Sequence, residues 1–402
     1  MLITFEGATV YLPEEIADTT VTIEDDKIVE IGGKAQGKTV DVKGMVLAPA
    51  LIDMHGDAFE RQQMPRPGVI FPIDGGILET DRQLAANGIA TAYHALTLSW
   101  EPGLRSVERS TQFVRAIQNL APRLTVENRI QLRWETYAFE AIDLIVEALK
   151  APLLPSVSFN DHTSMSMRAF DMPIQDRPFE QSSEFKSAKL EDARMKTRIA
   201  SNAKRSGLSV DDYLALLGQI WERRPEQNEK INAVAKLARE ANAPMLSHDD
   251  TRAVTRKYYR ALGASVAEFP MVLEATKDAR DNGDFIVFGA PNAVRGGSHI
   301  GSLGAADMIE DGLCDVLASD YYYPAMLAAI DRLDREKRAD RLTLWSLISD
   351  GPACAMMLHD RGKIEVGKRA DLVLVDWPNN DIPSVRETWV GGRQAYQAIP
   401  MS

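Results

Sequence analysis

The sequence predicts an α/β protein in two parts, a (β/α)8 TIM-like barrel and a small β-sandwich domain built from both chain termini. Two observations lead there. Eight apolar runs of strand length, each closing on a polar residue, recur between residues 46 and 320, with amphipathic helical patterns between several of them. That is the order of a barrel of about 250 residues plus insertions. The two chain ends share another texture, short alternating runs broken by Gly and Asp, which suits a small sheet rather than helices.

Residues 1–50 hold "TVTIEDDKIVEIGG" and "KTVDVKGMVLAPA", and residues 359–402 hold "GKIEVGKRADLVLVDWPNNDIPSVRETWVGGRQAY". Like textures at opposite ends are expected to pair into one sheet domain, with the barrel, residues 51–358, inserted between them. After Val46–Ile52 the barrel runs are "GIATAYHALTLS", "RIQLRWET", "LLPSVSFNDH", "APMLSHDD", "ASVAEFP", "DFIVFGAP" and "CDVLASD". "TQFVRAIQNLA", "AIDLIVEALK" and "EKINAVAKLAREAN" carry the helical period between them. Residues 163–230 follow the fourth run as charged, amphipathic helices. On a barrel they emerge at the rim, either as a solvated helical pair or as a lid that closes over substrate.

The chain has 402 residues, 45% of them hydrophobic, enough for a sizeable core. A net charge of −12 argues against a nucleic-acid or polybasic membrane partner, because a phosphate backbone demands a broad basic face. An anionic small molecule is still compatible, since metal ions and a few arginines can reverse the sign inside one cleft. Two cysteines, Cys314 and Cys354, are too few for a disulfide framework and read as ordinary buried thiols. With no basic, apolar leader and no run of 18 apolar residues, a cytoplasmic location is expected. Oligomeric state is unreadable, and a homo-oligomer is compatible.

In such a barrel the chemistry sits at the C-terminal ends of the strands. Collecting the polar residues that close the runs gives His55, Asp57, Glu135, His162, His248 and Asp320. Taken singly each has a plain structural alternative: a strand-end histidine is often only hydrogen-bonded, and Asp320 suits a helix N-cap. Together they form a sulfur-free nitrogen and oxygen set for one or two divalent ions, zinc ahead of manganese or iron. Arg66, fixed between two prolines, and Arg295, before Gly296 and Gly297, are candidates to bind an anionic substrate, with His299 as a further donor. A surface salt bridge and a simple turn are the alternatives. "YYY" at 321–323 stacks on a ring or, as slightly favoured, packs on the barrel top.

These residues carry a resemblance. "APALIDMHGD" is similar to the first-strand metal motif of the amidohydrolase superfamily, metal-dependent hydrolases that combine this barrel with a terminal β-sandwich. More specifically, "DMHGDAFER", "MPRPGV", "LRWE", "NDHT", "SHDD", "AEFP", "GAPNAVRGGSHIG", "ASDYYYP" and "DRGKIEVGKRADLVLVD" resemble the PhnM family of ribose methylphosphonate triphosphate diphosphatases nearly end to end. The resemblance implies that Asp57 takes the second first-strand ligand position and Glu135 that of a bridging carboxylate. His162 and His248 correspond to the later metal histidines, and Asp320 to the last-strand aspartate that accepts the proton of a metal-activated hydroxide's parent water. The implied reaction, part of phosphonate catabolism, releases pyrophosphate from a ribose alkylphosphonate triphosphate.

Departures from the family pattern bear on substrate. His94 stands where an aspartate is expected in the second strand. "SMSMRAF" replaces a Pro-Gly-Gln-Arg-Gln type run and leaves only Arg168 as a substrate-binding candidate there. Gly56 and Ala58 stand where bulkier polar residues are common, and "WETYAF" is unusually aromatic. The alternative is therefore an amidohydrolase or deaminase acting on a C–N bond of a cyclic amide, N-acyl compound or nucleobase. A metal-free scaffold descended from such an enzyme is the third reading, against which the intact ligand set argues.

Overall fold

The computed structural model describes residues 1–297, 301–378 and 381–399. Eight parallel strands form one sheet in sequence order: β1 (Leu51–Gly56), β2 (Ile89–Leu98), β3 (Glu127–Glu135), β4 (Ser156–Asn160), β5 (Met245–His248), β6 (Val266–Glu268), β7 (Phe285–Gly289) and β8 (Val316–Ala318). The sheet closes on itself at one seam. There the Asp57 N–H donates to the Asp320 carbonyl at 2.8 Å, and the Asp320 N–H donates to the His55 carbonyl at 2.9 Å.

Parallel strands flanked by helices are buried on both faces and read as continuous apolar runs. Every residue of β2 is buried, and so is every residue of β1. Inside the barrel Ile52, Met54, Tyr93, Leu246, Val266 and Val316 form an apolar cluster with Met356 and Leu358. One strand repeat above that cluster the inward positions turn polar, at Gln131, Ser158 and Glu268, and all three are at most 1% exposed.

Outside, helices cover the strands. Val107–Leu120 begins where the Ser106 side chain accepts the Arg109 N–H, and it turns Phe113, Val114 and Ile117 onto Leu96, Leu98 and Ile130. Truncating a ring such as Phe113 to Ala is expected to cost about 3–5 kcal/mol. Among the helices between β4 and β5 are Ala193–Ser206 and Val210–Trp221. Asp192 and Ser209 cap their N-termini, and Gly207, at φ 72°, takes the left-handed turn that separates them. They share a small core of their own, including Met195, Ile199, Tyr213 and Leu217.

The chain ends form two sheets. One holds four strands, Leu2–Glu6 central among them. The other holds six and joins the two termini, with Leu372–Asp376 antiparallel to Val46–Pro49. Phe5 meets Trp389 edge-to-face at 5.1 Å between the sheets, in a core with Ile3, Ile23, Leu47 and Leu374. One expectation needs correction. Cys314 is buried, but Cys354 is exposed, because its side chain leaves the helix Asp350–Ala355 on the solvent side near Asp350.

Candidate metal centre and flanking cavities

Glu268, the last residue of β6, organises the top of the barrel. Its carboxylate accepts from His55 Nδ1 at 2.7 Å, His248 Nδ1 at 2.8 Å, Ser158 Oγ at 2.7 Å and Gln131 Nε2 at 2.5 Å. Burial pushes this carboxyl up, but the facing imidazoles and the hydrogen bonds outweigh burial and hold it well below the usual carboxylate range. An ionised carboxylate only accepts, so both rings present Nδ1–H to it, and each Nε2 keeps its lone pair for the centre. Burial pushes the His248 imidazole down; Arg133 Nη2 then donates to its Nε2 at 3.3 Å. Burial pushes the His55 imidazole down, but the charge of Glu268, its hydrogen bond and the charge of Asp320 together carry it above its ordinary value.

Around this pair lie three groups whose donor atoms come within 4.8 Å of one another: His55, His248 and Glu268; His162, His248 and Asp249; and His55, Asp57 and Asp320. The donors are nitrogen and oxygen only. Five carboxylates, those of Asp57, Glu135, Asp249, Glu268 and Asp320, stand around these histidines, and one guanidinium, Arg133, lies 3.6 Å from Asp57. That excess of negative charge in a desolvated place fits one or two divalent cations. The Asp320 carboxyl, pushed up to about 6 by burial and then by Asp57, registers the same crowding. Asp249, Phe269 and Asp320 all stand at positive φ, 58°, 54° and 55°, just past their strands. Non-glycine residues adopt that conformation at a cost of order 1–3 kcal/mol, and such strain clusters at functional sites.

The structure thus brings together His55, Asp57, His162, His248 and Asp320. Glu135 sits beside them, paired through one oxygen with His162 Nδ1, while its other oxygen accepts the His162 N–H at 3.1 Å. Arg168 and Arg295 line the two cavities described below. Arg66 is exposed in a tight turn with Val69 and lines neither. His299 lies outside the described residues. His94 faces away from the centre, buried between Phe59 and Phe113 with its Nε2 2.7 Å from Asn128 Oδ1. Of the three tyrosines, Tyr323 packs at 2% exposure, while Tyr321 and Tyr322 are exposed.

Three residues of this centre escaped the strand-end reading: Glu268, Asp249 and Arg133. Glu268 closes "ASVAEFP" and so satisfies the rule that found the others. Arg133 stands two residues before Glu135 on the same strand face. For Asp249 the only signal is its place after His248.

Two cavities meet at Asp57 and Arg133. One, of about 320 Å³, lies under the helix Ala193–Ser206 and is lined by Thr97, Glu101, Arg168, Arg198, Asn202 and Arg205 among others. The other, of about 200 Å³, holds Phe269, Pro270, Phe288, Leu303 and Tyr321, with Arg295 as its second arginine.

Comparison with known proteins follows from this geometry. The amidohydrolase family model matches residues 288–396. The alpha-D-ribose 1-methylphosphonate 5-triphosphate diphosphatase of Escherichia coli (strain K12) is 30% identical over 365 residues, 89% of this chain and 90% of that protein. Among solved structures, an adenosine deaminase from Xanthomonas campestris with bound zinc superposes at TM-score 0.63, with 13% identity, over 100% of this chain and 94% of that one. Molinate hydrolase does so at TM-score 0.62, with 14% identity, over 98% and 94%. These two likenesses concern the fold.

Proposed function

The chain belongs to the amidohydrolase superfamily, in the family of the E. coli ribose methylphosphonate triphosphate diphosphatase, and from that premise we propose that it is a divalent-metal-dependent diphosphatase, releasing pyrophosphate from a ribose alkylphosphonate triphosphate. The observation that carries the reading is the convergence of His55, Asp57, His162, His248 and Asp320 beside a cavity rich in arginine. Zinc suits these donors first, with manganese or iron as alternatives. A cytoplasmic setting goes with the reading, both thiols being free.

A divalent ion held by those five residues supplies Lewis acidity and brings the pKa of a water toward neutrality. The protein's part is to aim and to move protons. Glu268 locks the His55 and His248 rings so that each Nε2 faces the centre. Asp320, fixed at the seam through its backbone bonds to His55 and Asp57, takes the proton of the attacking water at a carboxylate oxygen and returns it to the leaving group. Arg133, between the cavities, meets the negative charge that develops on the phosphoryl oxygens.

A second reading, hydrolysis of a C–N bond in a cyclic amide, N-acyl compound or nucleobase, is favoured by the apolar lining of the smaller cavity, where Phe269, Phe288 and Tyr321 suit a flat ring. Phosphorus NMR of the metal-loaded protein with ribose methylphosphonate triphosphate separates the two. Pyrophosphate is expected at enzyme-like rates. Its absence from protein with a filled site, together with turnover of an amide, overturns the first reading in favour of the second.

A further inference from the structure

We propose that the larger cavity seats the pyrophosphate end of the substrate, with Arg168 and Arg198 as its anion-binding pair, and that the smaller cavity takes the organic end. This rests on the diphosphatase reading and adds the direction in which the substrate lies.

The argument is one of charge accounting. Five arginines line the larger cavity: Arg105, Arg133, Arg168, Arg198 and Arg205. Three of them already face carboxylates. Arg105 holds Glu60 through two bonds of 2.8 and 2.9 Å, Arg205 holds Glu101 at 2.6 Å, and Arg133 stands 3.6 Å from Asp57. Arg168 and Arg198 have no carboxylate within 4.0 Å among the described residues. Their side chains donate to main-chain carbonyls, Arg168 to Met165 at 2.6 Å and Met172 at 3.2 Å, Arg198 to Ser166 at 3.0 Å and to Arg168 itself. The face of Phe170 supports Arg198, with its Cζ 4.0 Å from the ring centre.

Two half-buried guanidiniums held together without a counter-ion are costly in isolation and favourable when an anion bridges them. Burial pushes both below their ordinary values, with the charge of Arg168 adding to the effect on Arg198. Thr97 and Arg205 also line this cavity, the Thr97 Oγ1 and Arg205 Nε atoms themselves being buried without a partner among the described residues. Asn202, on the same helix face as Arg198 and Arg205, adds an amide. At about 320 Å³ the space is at the low end of small-molecule sites, ~300–1,000 Å³.

The smaller cavity offers the opposite chemistry. Its own arginine is Arg295, and Phe269, Pro270, Phe288 and Leu303 make much of its wall. A chain of phosphates gains less there than a sugar does. Asp57 and Arg133 border both spaces, so a molecule that fills both puts its scissile bond at the candidate centre. The segment Ser164–Phe170 contributes Arg168 to this space, and the helix Ala193–Ser206 contributes Arg198 and Arg205.

The test is calorimetric titration of inorganic pyrophosphate into metal-loaded protein, with bound metal measured in each sample. Loss of both guanidiniums in R168M/R198M is expected to weaken binding by about tenfold or more at equal metal content. Because Arg198 also ties down carbonyls, N202D is the second variant; it keeps both arginines, sets a carboxylate against them, and is expected to weaken pyrophosphate binding severalfold. R295M is expected to bind pyrophosphate as wild type does. Unchanged affinity in R168M/R198M and N202D, a loss in R295M instead, or no wild-type binding below millimolar concentration overturns the assignment. Pyrophosphate release by a protein whose affinity ignores Arg168 and Arg198 sinks this inference alone. Amide turnover with the arginine-dependent affinity intact sinks the diphosphatase reading and, with it, the pyrophosphate end assigned here, leaving Arg168 and Arg198 as an anion site only.

Discussion

His55 Nδ1 and Glu268 Oε1 lie 2.7 Å apart across the barrel, neither side chain more than 1% exposed and 213 residues apart in the chain. The pair fixes which nitrogen of His55 faces the centre.

Removing the charge of Glu268 while keeping its shape should therefore loosen metal binding without unfolding the barrel. For E268Q we expect divalent-ion affinity to fall by about 10–100-fold, the usual cost of losing such an orienting partner. A competition titration against a chelator measures it. Wild-type affinity in a folded E268Q protein is the result that contradicts the role.

Asp320 is assigned the proton transfer. D320N keeps the side-chain volume and loses the base, so kcat should fall by about 10²–10⁴, with a far smaller change in KM. Steady-state kinetics on whichever substrate proves active decides this, with circular dichroism to check the fold.

Burial pushes the His94 imidazole down to about 4, against about 6.5 in an unfolded chain. A group whose folded pKa is depressed lets the unfolded state take the proton first. Stability is then fully present above about 6.5 and is lost as pH falls from there toward 4. In H94Q the urea midpoint should drop less between pH 7 and pH 4.5 than in wild type. Equal drops in both proteins would mean that His94 does not titrate this way.

Gly56 separates His55 from Asp57, and a Cβ there would come within 2.5 Å of Asp53 Oδ2 and 3.0 Å of Ser319 Oγ. Asp53 cannot yield cheaply, since it accepts the Ser319 N–H at 3.0 Å and the Ser319 hydroxyl at 2.5 Å. G56A is expected to cost about 1–3 kcal/mol by overpacking the seam, seen as a lower thermal midpoint. A midpoint equal to wild type would show that the seam relaxes freely.

The barrel was legible because parallel strands buried on both faces leave unbroken apolar runs, and all eight of those runs are strands. His55, His248 and Asp320 were legible for a related reason, each closing such a run. Arg66 reads differently in three dimensions. The flanking prolines fix its backbone, but they do not set where the loop points, and the side chain lies exposed, away from both cavities. His94 sits in an apolar run that names no face; pairing with β1 and β3 turns it outward onto Phe113.

By itself the sequence determined the barrel strands, several of the helices between them, and a nitrogen and oxygen donor set for the candidate centre, because periodicity and residue type act locally. Only the tertiary structure decided that Glu268 stands behind two histidines and that Arg198 and Arg205, from a helix beyond β4, face the same space as Arg168. Those contacts join residues far apart in the chain. Closure of the barrel and docking of one helix pair set them, and no local pattern encodes either.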